Sequence, residues 1–254
     1  MTKHLVIPDC QVKSGVDTEY LRDIGRYIVE KKPDVLVCIG DFADMPSLSS
    51  YDQGKKSFEG RRYKDDVMAA REGMEKLLQP IWTFNERAKI NKERQYRPRM
   101  ILTLGNHENR IDRAIDSDPK LDGTIGITDL GYTQYGFEVY PYLEPIIVDG
   151  IAYAHYFTSG AMGRAVPNAR QLILKKHMSC TMGHVQSWEL HRETRADGTP
   201  IMGLFAGSCY THNEDYLGPQ GNHYDRGIWM KHEVDSGSYQ PMYVSLNYLK
   251  KRYV

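Results

Sequence analysis

The sequence Leu104-Gly105-Asn106-His107-Glu108-Asn109-Arg110 closes an apolar run that begins at Met100. The run predicts a buried β-strand that stops in a turn carrying an amide, an imidazole, a carboxylate and a guanidinium within five residues. An asparagine oxygen can bind a hard metal ion, and a neighbouring histidine can give a proton to a leaving group. An ordinary strand-to-helix turn, with Asn106 as N-cap and Glu108 favouring the helix dipole, is the alternative. Partner residues elsewhere in the chain decide between the two interpretations.

The composition is that of a globular protein with no strong charge bias. Apolar residues make up 41% of the 254 residues, so the chain can bury a core and long disordered stretches are not expected. Its 33 basic and 33 acidic residues cancel, which excludes binding to polyanions through bulk charge alone. The four cysteines are single and lie mostly in apolar surroundings, as expected of reduced thiols in a cytosolic protein.

Neither export nor membrane insertion is predicted, because the N-terminus passes directly into a strand and no apolar run reaches membrane-spanning length. Internal repeats and a convincing linker are not found. We therefore expect a single domain over residues 1–254, with a polar insertion around residues 45–66.

The first part of the chain alternates apolar strands and helices. Residues 5–8 and 34–39 predict strands, and a helix that Pro33 stops lies between them, which is the pattern of a parallel βαβ unit. A longer helical pattern after the insertion contains Pro80, which we expect to kink or divide it. Ligands of such sheets bind beyond the carboxyl ends of the strands. The polar residues that fall there are Asp9, Gln11, Asp41, Asp44, Asn106 and His107.

The second part of the chain predicts an antiparallel half. Residues 145–155 predict a hairpin around Asp149-Gly150, a helix is expected near residues 168–177, and residues 180–182 end a strand at Gly183-His184. Two strands, near residues 187–194 and 201–206, are joined across residues 196–198. Short strands at residues 233–234 and 242–246 close the chain.

Five blocks, taken in chain order, resemble the motifs of the calcineurin-like metallophosphoesterase family, whose pattern is DxH, GDxxD, GNH(D/E), H and GHxH. The blocks are Asp9-x-Gln11, Gly40-Asp41-x-x-Asp44, Gly105-Asn106-His107-Glu108, His155 and Gly183-His184-x-Gln186. The end of the chain is similar to a branch of such proteins common in phage and bacterial genomes. We therefore expect a cytoplasmic protein of a bacterium or of a phage-infected cell.

The resemblance implies an α/β fold, a four-layer α/β/β/α sandwich of two mixed sheets flanked by helices, with a site for two divalent metal ions. It assigns Asp41 to both ions, Asp9, Gln11 and Gln186 to the first ion, and Asn106, His155 and His184 to the second. His107 is then the acid that protonates the leaving group, and Asp44 orients it. A hydroxide that bridges the ions would attack the phosphorus. Arg110 either stabilises a phosphate oxygen or forms an ordinary surface ion pair.

This ligand set suits a phosphate ester, since two divalent ions roughly 3.5–4 Å apart can activate a water and brace an in-line displacement. Gln11 and Gln186 stand where the family has histidine, and amide oxygen is a harder and weaker ligand. We therefore expect Mn²⁺ as the cofactor, with Mg²⁺, Fe²⁺ and Zn²⁺ as alternatives. A further histidine, His212 or else His191, is a candidate to complete the first site.

The insertion carries Lys55, Lys56, Arg61 and Arg62 together with Phe58 and Tyr63, and residues 89–99 combine cations with Tyr96. Such mixtures are typical of single-stranded nucleic-acid grooves and also of solvated helix ends. The first interpretation favours a phosphodiesterase acting on DNA, RNA or nucleotides. A phosphomonoesterase acting on phosphoproteins or nucleotides is the alternative. A non-catalytic scaffold that has lost one metal is the third hypothesis.

Overall fold

Two β-sheets form the framework of the computed structural model, which describes residues 1–52, 54–214 and 218–253. The strands are β1 (Thr2–Ile7), β2 (Val35–Cys38), β3 (Arg99–Thr103), β4 (Glu138–Tyr140), β5 (Ile146–Val148), β6 (Ile151–Tyr153), β7 (Ser179–Met182), β8 (Trp188–Thr194), β9 (Pro200–Ala206), β10 (Gly227–Asp235) and β11 (Ser238–Ser245). The helices are α1 (Tyr20–Lys31), α2 (Tyr63–Ile90), α3 (Arg110–Ser117), α4 (Ala169–Lys176), α5 (Gly218–Gly221) and α6 (Leu246–Arg252).

Both sheets are mixed. The first has the strand order β11-β10-β1-β2-β3-β4, in which β1 to β4 run parallel and β10 and β11 are antiparallel additions. The second has the order β5-β6-β7-β9-β8, with parallel pairing from β6 through β7 to β9 and antiparallel strands at both edges. The expected antiparallel half is therefore wrong for the centre of the second sheet, because the α4 connection returns the chain in the same direction.

The two sheets pack face to face and carry helices on their outer faces. Strand residues alternate between two cores: in β2, Val35 and Val37 face the second sheet, whereas Leu36 and Cys38 face the helices. Helices α1, α2 and α6 cover the first sheet, and α4 covers the second. The predicted α/β sandwich of two mixed sheets flanked by helices is confirmed at this level.

Local sequence signals account for several connections. The β1-α1-β2 unit is parallel, as predicted, and α1 ends at Lys32 in a left-handed conformation just before Pro33. The β5-β6 hairpin turns through Asp149 and Gly150, which have φ angles of 48° and 81°. Positive φ at both turn positions is what a two-residue hairpin needs, and Asp-Gly supplies it.

Pro80 does not divide α2, which runs without a break from Tyr63 to Ile90. Proline removes one backbone hydrogen bond, but the buried residues Leu77 and Ile81 on either side of it pack into the same core as α1. Gly25 of α1 permits this packing, since a Cβ there would collide with the Leu77 carbonyl oxygen and lie 2.9 Å from Pro80 Cγ. Tertiary packing therefore keeps the helix in one piece.

Some elements were not predicted. Strand β4 has only three residues, and α6 is a short helix rich in cations, so neither gives a strong periodic signal. Strands β10 and β11 are longer than expected because they pair along most of their length.

All four cysteines are buried with free thiols. Among the helices of the described residues, none combines the length and apolar character needed to cross a bilayer.

Gly25→Ala should lower the free energy of unfolding by about 1–3 kcal/mol, because the added methyl group forces α1 and α2 apart. Urea denaturation followed by far-UV circular dichroism measures this loss. Gly160→Ala is the matched control, since a Cβ there meets no atom of the described residues within 4 Å. Equal stability of the two variants would contradict the close approach of the helices.

Candidate metal centre

The site lies where strands of both sheets end. Asp9 follows β1, Asp41 follows β2, and Asn106 follows β3, all in the first sheet. His155 and His184 follow β6 and β7 in the second sheet. Because these parallel strands end at one edge of the sandwich, residues far apart in the chain meet there.

Four of the predicted ligands form one cluster. The ligand atoms of Asp41, His155 and His184 all lie within 4.8 Å of one another. Asn106 Oδ1 lies 2.9 Å from His155 Nε2 and 2.8 Å from His184 Nδ1. One carboxylate, one amide oxygen and two imidazoles thus converge at the place assigned to the second ion.

A hydrogen bond to the backbone, on the side of the ring away from the cluster, orients His155. Its Nδ1 donates to the Ile39 carbonyl oxygen at 3.0 Å, so Nε2 is the nitrogen that faces Asp41, whose Oδ2 lies 3.4 Å away. A backbone acceptor of this kind sets the tautomer of a metal-binding histidine. The His155 ring is fully buried, and its geometry leaves only Nε2 to the cluster.

The residues predicted for the first ion are close together but not equivalent. Asp9 Oδ1 accepts from the His184 backbone N–H at 3.1 Å, and Asp9 Oδ2 accepts from Gln186 Nε2 at 3.4 Å. Gln186 Oε1 is already an acceptor for the Tyr210 hydroxyl at 2.9 Å. In this arrangement Gln186 contacts a ligand candidate rather than offering a free oxygen of its own.

Gln11 does offer such an oxygen. Its Oε1 is buried and has no hydrogen-bond partner among the residues that the structure describes. A buried polar atom without a partner calls for an explanation, and an ion bound to that oxygen is one. Gln11, Asp41 and His184 also have positive φ angles of 43°, 48° and 67°, so the loops that carry them are held in a sparsely populated backbone conformation. The donor set therefore fits a divalent cation.

Burial and neighbouring charges shift the pKa values of the ionisable residues at the site. Burial raises the pKa of Asp9 to about 7. Burial also works against ionised Asp41, but His107 and His155 outweigh it and hold the pKa of Asp41 well below its usual range. Burial lowers the pKa of His155, yet the Asp41 carboxylate more than compensates and raises it to about 9. A proton on His155 therefore balances Asp41 in the metal-free protein, and a cation must displace it.

Burial and the neighbouring His155 lower the pKa of His184 to about 4, so this ring is neutral at neutral pH. A neutral imidazole has a lone pair free for a metal. The two histidines of the cluster thus differ in protonation, because His155 faces Asp41 and His184 lies mainly against His155 and Asn106.

His107 lies beside the cluster in contact with Asp44. His107 Nδ1 is 2.7 Å from Asp44 Oδ1, and its Nε2 is 3.7 Å from Asp41 Oδ2. Burial lowers the pKa of His107, but the charges of Asp41 and Asp44 prevail and raise it above the ordinary value. The ring is thus held in one orientation, with Nε2 toward the cleft and its proton retained to higher pH.

Arg110 forms an ion pair with Asp44, whose Oδ1 lies 3.4 Å from Nη1, but this pair is largely buried instead of lying on the surface. Its side chain is only 15% exposed, Nη1 donates to the Asp44 carbonyl oxygen at 2.7 Å, and Nη2 lies 3.2 Å from His107 Nε2. The guanidinium therefore stands next to the imidazole nitrogen that would serve as the acid.

Glu108 belongs to the Gly105-Asn106-His107-Glu108 block, but the sequence analysis gave it no role at the site beyond a favourable interaction with the helix dipole. Its buried carboxylate accepts from the backbone N–H groups of Asp41 and Gly105 at 2.9 Å each, from that of Ala43 at 3.0 Å, and from the Tyr132 hydroxyl at 3.2 Å. It thereby joins the loop after β2 to the loop after β3. Nothing in the spacing of the sequence indicates this partner, because the two loops are separated by a helix of 28 residues.

Of the two histidines proposed to complete the first site, His212 keeps one buried nitrogen, Nδ1, without a hydrogen-bond partner among the described residues, so its role as a ligand stays a prediction. His212 Nε2 contacts Glu214 Oε1 at 2.7 Å, and its ring stacks on Tyr210. His191 lies on the edge strand β8 and contacts Glu193 at 2.8 Å. Neither belongs to the cluster of ligand atoms around Asp41.

A cleft of about 1270 Å³ extends from the candidate metal centre to the insertion. Lys55, Arg61 and Arg62 line its far end, whereas Lys56 is exposed and does not line it. Lys55 and Arg61 are both paired with Asp52, at 3.0 and 2.8 Å. The charge of these two cations is therefore partly neutralised.

The second basic stretch does not share this cleft. Arg99 begins β3 and pairs with Val35 at the start of β2, so residues 89–99 lie at the opposite end of the sheet from the site. Tyr96 donates its hydroxyl to the Pro33 carbonyl oxygen at 2.6 Å and is structural. The aromatic ring at the cleft is instead Tyr51, which is 80% exposed.

Glu108→Gln should lower the free energy of unfolding by about 1–3 kcal/mol, because an amide N–H₂ would replace an acceptor that faces buried N–H donors. Glu138→Gln is the control, since Glu138 forms an exposed pair with Arg99 that is worth about 1 kcal/mol or less. Urea titration compares the two variants. Similar losses would show that Glu108 does not hold the loops.

Models of known protein families give no match to this chain, and no match is found among curated proteins of known function.

Proposed function

We propose that this protein is a metal-dependent phosphoesterase of the metallophosphoesterase fold, acting most readily on phosphodiesters of nucleic acid or nucleotides. The observation that carries the proposal is that the cluster of Asp41, Asn106, His155 and His184 adjoins the oriented pair of His107 and Asp44 at one cleft. Ligands for a cation and an acid for a leaving group are the two requirements of such hydrolysis. A pure binding module would need only the first.

Asp41, Asn106, His155 and His184 would hold one divalent ion, and Asp9, Asp41 and Gln11 would contribute to a second. When bound, two such ions would offset phosphate charge and activate water for attack. Hard oxygen donors from Gln11 and Asn106 support Mn²⁺ or Mg²⁺ over Zn²⁺. The neutral amide and imidazole groups fix geometry without cancelling positive charge, which leaves attraction for an anionic substrate.

The chain's own acid is His107. Asp44 holds Nδ1, so Nε2 is the atom that can give a proton to the leaving oxygen. In the metal-free protein the charges of Asp41 and Asp44 raise the pKa of His107 despite its burial, so the ring keeps its proton to higher pH than an ordinary histidine. Arg110 Nη2 lies 3.2 Å from the same nitrogen and can donate to a phosphate oxygen placed there.

The size of the cleft supports a diester, because it continues from His107 to Tyr51 and Arg62 and leaves room for a second ester group. Tyr51 exposes an aromatic ring on which a base could stack. The pairing of Lys55 and Arg61 with Asp52 partly neutralises the charge at this part of the cleft, which favours a nucleotide or a short stretch of nucleic acid over a long one. A nucleotide phosphomonoesterase also binds a small substrate, and it is the second candidate.

With Mn²⁺, the wild-type protein should hydrolyse bis(p-nitrophenyl) phosphate faster than p-nitrophenyl phosphate, and a chelator should abolish both activities. His107→Ala should reduce kcat by about 10²- to 10⁴-fold on substrates with poor leaving groups, as expected for loss of a general acid. His191→Ala is the control, because that histidine lies on an edge strand. A strong monoester preference would reverse the ranking of the two candidates. No hydrolysis of either ester, with at most one equivalent of metal bound, would refute the enzyme and favour the scaffold.

Metal binding should be proton-coupled. The pKa of His155 is raised to about 9 in the metal-free protein, so below that pH a cation must displace a proton from Nε2. The apparent Mn²⁺ affinity should therefore rise as the pH increases toward about 9 and level off above it. Calorimetric titrations in buffers of different ionisation enthalpy measure the proton released. An affinity that is flat from neutral pH to about 9 would show that His155 is already neutral in that range and would contradict a proton on Nε2.

A further inference from the structure

A chain of ion pairs leads from His107 through Asp44 and Lys13 to Glu214, which also lines the cleft. Lys13 Nζ lies 3.0 Å from Asp44 Oδ2 and 2.6 Å from Glu214 Oε1. His212 Nε2 contacts the same oxygen of Glu214 at 2.7 Å. The side chains of Asp44 and Glu214 are each 8% exposed and that of Lys13 is 20% exposed, so these contacts are shielded from water far more than surface pairs are.

The two oxygens of Asp44 have different partners. Oδ1 faces His107 at 2.7 Å and Arg110 at 3.4 Å, whereas Oδ2 faces Lys13. The terminal torsion of an aspartate is broad, so a carboxylate held only through Oδ1 could swing and tilt the imidazole with it. Lys13 anchors the second oxygen. The direction of the carboxylate, and hence of the His107 ring, is then set at both ends.

The chain around Lys13 is fastened to the loop that carries Asp44. The Val12 backbone N–H donates to the Phe42 carbonyl oxygen at 2.8 Å, and the Val12 carbonyl oxygen accepts from the Asp44 N–H at 2.9 Å. Lys13 therefore starts from a fixed point relative to Asp44. Its long side chain would still be free to rotate without a second partner.

Glu214 is that second partner, and it is itself held in place. Asn222 Oδ1 accepts from the Glu214 backbone N–H at 2.9 Å, and Asn222 Nδ2 donates to the Glu214 carbonyl oxygen at 3.0 Å. Arg226 donates to the His212 carbonyl oxygen at 2.5 Å. These hydrogen bonds fix the segment from His212 to Glu214. Glu214 therefore contacts Lys13 from a defined position in the C-terminal part of the chain.

We propose that Lys13, held by Glu214, is a positioning residue that fixes Asp44 and through it the leaving-group acid His107. This inference rests on the proposed phosphoesterase function. It also gives His212 Nε2 a structural contact, since this nitrogen supports Glu214 at the outer end of the same chain of contacts.

The test separates proton donation from phosphate binding by varying the leaving group. Methyl p-nitrophenyl phosphate releases a group that needs no proton, whereas methyl phenyl phosphate releases one that does. Lys13→Met should lower kcat for the phenyl ester about 10- to 100-fold and for the p-nitrophenyl ester less than about threefold, with KM and bound Mn²⁺ unchanged. Lys13→Arg should recover most of the loss. Glu214→Gln should show the same pattern with a smaller amplitude.

Lys76→Met is the matched control, because Lys76 is 28% exposed and bridges Glu19 and Thr18 as Lys13 bridges two carboxylates, but in the contact of α2 with the start of α1. It should change neither ester. A rise in KM for both esters on Lys13→Met would identify Lys13 as a phosphate ligand and overturn the proposal. An equal loss of kcat on both esters would also overturn it.

A measurement on the metal-free protein keeps the two proposals distinguishable. The His107 Nδ1–H proton, assigned with His107→Ala, should give a downfield NMR resonance in the wild type that broadens or disappears in Lys13→Met. If the wild type hydrolyses no ester but the resonance responds in this way, the hydrolase fails and the positioning role stands. If the resonance is the same in Lys13→Met and the wild type, the positioning role fails whether or not the protein is an enzyme.

Discussion

A single buried carboxylate holds the site together. Glu108 accepts hydrogen bonds from three backbone N–H groups and one hydroxyl, and these donors belong to the loops that follow β2 and β3 and to the segment before β4. Burying a charge is costly unless donors surround it, and here four donors do so. Because Asp41 lies on one loop and Asn106 and His107 lie on the other, this side chain helps to set the distance from the metal ligands to the acid, together with the hydrogen bond that the His107 backbone N–H donates to Asp41 Oδ1 at 2.8 Å.

The backbone at the site is held in conformations that a freely folding loop would avoid. Gln11, Asp41 and His184 all have positive φ, and each such residue costs on the order of 1–3 kcal/mol. The strands that precede them are buried on both faces, so the surrounding cores can support this cost. Gly105 is needed for a steric reason, since any Cβ there would collide with Asp41 Oδ1. Rigid strands thus deliver side chains that loops alone could not place.

The sequence was sufficient where a signal is local. Apolar runs that end in a polar residue located the ends of β1, β2 and β3, and Asp149-Gly150 located a hairpin. It was insufficient where two distant segments meet. Lys13 and Glu214 are 201 residues apart, and Glu108 accepts from Asp41 and Ala43, which precede it by 67 and 65 positions. The strand pattern predicts which edge of the sheet a loop occupies, but not which side chains of two loops touch. Composition alone also left open where residues 89–99 lie, and the structure places them at the end of the sheet opposite the site.

The candidate ligands come from both sheets, with Asp41 and Asn106 on the first and His155 and His184 on the second. A cation bound to all four would connect the two sheets, which are the two halves of the sandwich. Any fluctuation that separates the halves would then have to release the ion first. By mass action, the free energy needed to separate the two sheets at this edge would then increase with metal concentration. The same ion would stabilise the fold and take part in the proposed hydrolysis.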